Sequence, residues 1–97
     1  MKLRIARRAF ADLDEINAES RRRWGQSQTR RYIAAINLLI ERLCETPYQF
    51  PALVDRPTHR KARSGQHLII YRVDPDAGAL NVVRILHERM DIETQLS

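Results

Sequence analysis

Leu3 and Ile5 share one side of an alternating stretch from Lys2 to Ala6, and this period of two predicts a short strand. From about Arg8 to Trp24 the period lengthens. Phe10, Leu13, Ile16 and Trp24 recur at helical spacings, with Asp12, Asp14, Glu15 and Glu19 on other faces, so an amphipathic helix is expected. Its acids lie early and Arg21, Arg22 and Arg23 fall in its last turn, the order favoured by the helix dipole. Gly25 supplies a stop. Ser27 is placed to cap a second helix with the stripe Tyr32, Ile33, Ile36, Leu39, Ile40 and Leu43, ended by Pro47. Two helices joined by so short a link must turn back on each other, which predicts a helical hairpin.

Pro47, Pro51 and Pro57 make Thr46 to Thr58 an irregular surface loop, after which His59 to Arg63 is read as a strand. The runs His67 to Val73 and Leu80 to His87 are β-branched and apolar, and the turn residues Asp74 to Gly78 between them predict a β-hairpin. Because both strands are apolar almost without interruption, both sheet faces must be covered, one by the helical hairpin and the other by the tail or by a partner. Asp91 to Ser97 is too short for a helix standing alone and is expected to pack as a terminal turn. The fold class is therefore α+β, in the order β-α-α-β-β-β, with a helical hairpin packed on a mostly antiparallel sheet.

Length and composition narrow the picture. Residues 1–97 form one domain, and 43% hydrophobic with 30% charged residues describes a chain that folds. No apolar run reaches the length of a membrane-spanning helix and no signal-peptide core follows Met1, so a cytoplasmic protein without membrane contact is expected. Cys44, the single cysteine, lies in the apolar stripe of the second helix and reads as buried filler. Zinc-ligand spacing, a phosphate-cradling Gly-rich loop and a serine-centred motif are all missing, so neither cofactor nor metal is expected. The formal charge is +5, and fifteen of the seventeen basic residues are arginine, Lys2 and Lys61 being the others. Guanidinium forks grip carboxylates and phosphates and never lose their proton, so an anionic partner is expected.

The run Arg84-Ile85-Leu86-His87-Glu88-Arg89-Met90-Asp91-Ile92, with Leu96 shortly after, resembles the C-terminal signature of ParE-type toxins. That signature reads arginine, two aliphatics, histidine, two variable positions, methionine or arginine, aspartate and an aliphatic. Asp12-Leu13 and Ile16 in the first helix, Pro47 after the second, and the apolar-tyrosine strand Ile69-Ile70-Tyr71-Arg72-Val73 resemble the same ParE/RelE superfamily. The resemblance implies the toxin of a type II toxin-antitoxin system, of the kind associated with plasmid stabilisation. It also implies a cognate antitoxin whose acidic C-terminal segment wraps the toxin and through which alone operator DNA is reached. ParE-like members poison DNA gyrase, whereas RelE-like members cut mRNA on the ribosome.

Metal-free RNA cleavage needs a base, an acid and cations around the phosphate. His87 with Arg63 would be the catalytic pair of such an enzyme, yet Glu88 follows His87 and no tyrosine follows Tyr71. Arg84 and His87, three residues apart, also point to opposite faces of a regular strand. The expectation is thus a gyrase inhibitor acting by contact rather than an enzyme, with Arg63, Arg84, His87 and Arg89 meeting the target. Tyr71, Arg72, Arg84 and Arg89 are expected to meet the antitoxin. Each has a structural alternative: His87 anchoring the tail, Arg84 packed and paired, Tyr71 in the core. An inactive relative that only binds its antitoxin is a further alternative.

Overall fold

The computed structural model describes all 97 residues. Its elements in chain order are β1 (Lys2–Ile5), α1 (Arg7–Glu45), β2 (Arg60–Ser64), β3 (His67–Asp74), β4 (Ala79–His87) and α2 (Ile92–Leu96). The 39 residues of α1 are helical except at Gly25, where φ 83° and ψ 175° break the run. Straight, such a helix would reach about 58 Å at 1.5 Å per residue, but the longest dimension of the molecule is 41 Å. It is therefore folded into the expected hairpin, an N-terminal arm before Gly25 and a C-terminal arm after it. Ser27 does not cap the second arm as anticipated, because its hydroxyl receives the Arg31 guanidinium at 3.3 Å. Thr29 instead ties the break by donating to the Gly25 carbonyl at 2.8 Å. Phe10 and Trp24, assigned from their spacing to the apolar stripe, are 55% and 38% exposed. The packed stripe runs through Ala9, Leu13 and Ile16 instead.

The sheet order is β1-β4-β3-β2, with β1 parallel to β4 and the other pairs antiparallel. The parallel pair follows from the α1 crossover, which returns the chain to the sheet and lets the later hairpin lie beside the first strand. The face towards α1 is the larger core. Ile36, Ile40 and Leu43 of the C-terminal arm meet Ile69, Tyr71, Leu80, Val82 and Ile85 there. On the other face Leu68, Ile70 and Leu86 are closed over by Leu53 of the proline-rich loop and by Ile92 and Leu96 of α2. Of the two covers considered from sequence, the chain's own tail supplies this one. Asp91 holds α2 in place by accepting from the Glu93 N–H at 3.2 Å and from the Thr94 hydroxyl at 2.8 Å. No helix is long and apolar enough to cross a membrane.

Between Ile70 and Tyr71 the register shifts: Ile70 pairs with Arg84 but Tyr71 pairs with Val82, so Val83 is an extra residue on β4. A bulge of this kind reverses which face the following side chains take. It turns Ile85 and His87 towards α1 and sets Arg84 and Leu86 on the other side.

Candidate functional site

The open ends of β3 and β4 and the N-terminal arm of α1 enclose a groove of about 470 Å³. Ile16, Ala18, Ile85 and Met90 give it an apolar lining, and Asp12, Glu15 and Glu19 bring three carboxylates from the helix. His67 and His87 close it from the sheet, as register partners whose rings meet edge to face at 5.3 Å. A third ring extends the series. The Tyr32 hydroxyl lies 2.5 Å from His67 Nδ1, accepts the Gln66 N–H at 3.0 Å, and its ring stands 5.5 Å from His67. Gly65 makes room for it, since a Cβ there would fall 2.6 Å from the tyrosine ring.

Burial, and then the neighbouring His87, hold the His67 imidazole below its ordinary range. Burial pushes the Tyr32 hydroxyl upward, with Glu88 adding to the rise. His87 Nδ1 accepts the Arg89 N–H at 3.1 Å. The ring thus fastens the turn after β4 through a backbone group rather than through Asp91.

Arg84 is placed differently. Its Nε and Nη2 donate to the two oxygens of Asp12 at 2.8 and 2.9 Å, and Nη1 donates to the Gln95 carbonyl at 3.3 Å. Asp12 also accepts the Ile85 N–H at 2.9 Å. Because β1 pairs with β4 only as far as Val82, this carboxylate takes over the β4 edge where the parallel strand stops. Both side chains are almost enclosed, at 10% and 11% exposure. Arg84 is thus the packed, paired arginine of the structural alternative, joining α1, β4 and α2, and it offers a partner almost nothing. Tyr71 offers less still, being fully buried with its hydroxyl donating to the Pro47 carbonyl at 3.1 Å. The expectation that these two contact an antitoxin directly gives way to a core role.

Arg63 is exposed and paired with Glu88, which it holds below the usual carboxylate range with help from His87 and Arg89. Arg63, His87 and Arg89 are therefore gathered around the end of β4. Arg72 is exposed on the face away from α1. His67 and Tyr32, which complete the groove, were not foreseen as site residues. Counting back from the Asp74–Ala79 pair without a bulge puts His67 opposite Leu86; the extra Val83 moves it to His87.

A helical hairpin on this sheet is the fold of a solved structure described as the chromosomal ParDE toxin-antitoxin system from P. aeruginosa. That match has a TM-score of 0.78 at 21% identity and covers 90% of this chain and 95% of that one. The architecture is thus that of the ParE/RelE toxins. The family profile described as "ParE toxin of type II toxin-antitoxin system, parDE" matches residues 3–92. Toxin ParE1 of Mycobacterium tuberculosis is 37% identical over 89 residues, covering 91% of this chain and 90% of the relative. Toxin ParE of Escherichia coli is 43% identical over 96 residues, covering 92% and 86%. The chain belongs to the ParE toxin family of type II toxin-antitoxin systems.

Proposed function

We propose that this ParE toxin acts in the cytoplasm on DNA gyrase through protein contacts, without a reaction of its own, until a cognate antitoxin covers it. The choice of gyrase rests on the ParE-type run from Arg84 to Ile92. What the geometry adds is an account of why cleavage of RNA is disfavoured, and one observation carries it: the parts a metal-free nuclease would need are used up within the chain. Arg84 is locked to Asp12, Arg63 is paired with Glu88, and His87 leans on His67 in a groove walled by carboxylates. Asp12, Glu15 and Glu19 would repel a phosphodiester at the place where its charge grows in the transition state. Arg63, His87 and Arg89 form the exposed cluster proposed to meet gyrase, and Arg72 and Arg89 are proposed contacts of the antitoxin's acidic segment.

The test is a parallel measurement with the purified toxin. Gyrase supercoiling should be inhibited while mRNA on translating ribosomes stays intact. Ribosome-dependent cutting that His87→Gln abolishes, with supercoiling untouched, would overturn the proposal and establish the nuclease reading. A chain harmless to cells when expressed without antitoxin would instead be an inactive relative.

A further inference from the structure

The sheet face away from α1 has two halves. One is apolar and sealed by α2 and Leu53. The other is open and carries cations. Tyr71, Leu80 and Val82 point into the main core and Ile5 packs against it, so their neighbours Arg72, Asn81 and Arg4 point the other way. The register makes these three a row across the sheet, with Arg4 opposite Asn81 and Asn81 opposite Arg72. Lys2 lies two residues before Arg4 on β1, and Lys61 lies on β2 on the same side, opposite Ile70. All four cations are exposed, and none takes part in an ion pair, unlike Arg22, Arg23, Arg56, Arg63 and Arg84. The only carboxylate in the same register rows is Asp74, which is engaged by the Ala77 N–H at 3.2 Å. Burial, then Arg72 and Arg56, hold the adjacent His59 below the usual imidazole range, as expected beside concentrated positive charge.

We propose that this open half-face, centred on Arg4 and Arg72 with Lys2 and Lys61 beside them, is the seat of an extended acidic polypeptide segment. The proposal rests on the antitoxin reading above and gives that partner's charged segment a location. Lys2 and Arg4 stand about 6.6 Å apart along β1, which is the spacing of acidic side chains at alternate positions of an extended peptide. Arg4 and Arg72, two strand spacings apart, lie about 10 Å from each other, so a peptide laid along β1 is gripped from both sides. No aromatic side chain lies among these positions, so a single-stranded nucleic acid would find no stacking platform. A second copy of the chain would bring the same charge to the same place. The acidic peptide is the occupant that the surface fits.

Binding is measured by fluorescence anisotropy at low salt with a labelled ten-residue peptide alternating glutamate and valine. The wild-type chain is compared with Arg4→Glu/Arg72→Glu and with Arg30→Glu/Arg31→Glu. The last pair changes net charge equally but lies on the exposed helix surface. The expected result is a loss of about tenfold or more for the sheet variant only, with wild-type affinity falling as salt rises. Arg4→Gln/Arg72→Gln should show a smaller loss, and circular dichroism should show each variant folded. Equal weakening by both reversals would reduce the effect to net charge and overturn the assignment. Unchanged affinity in the sheet variant would do the same, as would tighter binding of a phosphodiester oligomer of equal charge. A cognate antitoxin that binds Arg4→Glu/Arg72→Glu as tightly as wild type would remove the location but leave the toxin reading standing. A wild-type chain that binds the peptide but no antitoxin would remove the toxin reading alone.

Discussion

His67 is held neutral by its surroundings, and this has a thermodynamic consequence. Its imidazole is depressed by burial and by His87, while its Nδ1 faces the Tyr32 hydroxyl at 2.5 Å. A depressed group binds its proton more weakly in the folded chain than in the unfolded one, where the value is about 6.5. Its contribution to stability is therefore complete above that value and is lost as pH falls through the lower folded value. His59 is depressed in the same direction. Glu19 and Glu88 are held low by arginines, so their losses come at more acidic pH. Stability from urea melts should thus decline from pH 7 towards pH 5, by less than about 1.4 kcal/mol per pH unit for each histidine. His67→Asn, whose amide can take the place of Nδ1 beside Tyr32, should flatten that decline without abolishing it. An unaltered slope in the variant would show that His67 does not titrate with folding. Nothing in the residue order signals this behaviour, because His67 becomes a neighbour of His87 only through the bulge at Val83 and of Tyr32 only through the hairpin turn.

At the scale of elements, much was legible because periodicity records which side of each element is buried. The helical stripe from Tyr32 to Leu43, the β3-β4 hairpin and the stop at Gly25 all follow from local spacing. Where one chain segment serves two neighbours, the pattern is silent. The parallel pairing of β1, the bulge on β4 and the closure of the edge by Asp12 depend on contacts across most of the chain's length. Gly25 shows how far a local signal reaches. Its φ of 83° with ψ of 175° lies where side-chain-bearing residues are strained, although a Cβ there would meet nothing within 4 Å. Gly25→Ala should therefore cost about 1–3 kcal/mol through backbone strain alone. Gly78, at φ 62° and also in open space, sits in the milder left-handed region, and Gly78→Ala should cost about 1 kcal/mol. Denaturant melts of the two variants check the order, and equal losses would mean that the link between the arms relaxes freely.

Over the whole molecule, only 19 of 97 residues are buried, so neither sheet face can lose its cover without a large effect. The proline-rich loop and a five-residue helix are slight covers by themselves. They hold because Asp91 starts α2, Arg56 pairs with Glu93 at 3.3 Å, and Arg84 reaches the Gln95 carbonyl at 3.3 Å. The near-continuous apolar strands announced that a second cover must exist, and Ile92 and Leu96 provide it by packing on Leu68, Ile70 and Leu86. A partner is thus released from sealing this half of the sheet, which leaves the cationic half as the surface still open. Ile92→Asp/Leu96→Asp should undo the arrangement by setting two carboxylates against an apolar face. The loss expected is about 2–4 kcal/mol for two partly buried aliphatic side chains, or at least about 8 °C in Tm for a domain near 100 residues. Binding of a hydrophobic dye should rise at temperatures where the wild type is folded, because Leu68, Ile70 and Leu86 become accessible. If the melting temperature and dye binding both stay at wild-type values, α2 is not what closes the face, and the division of the sheet into a sealed half and an open half fails with it.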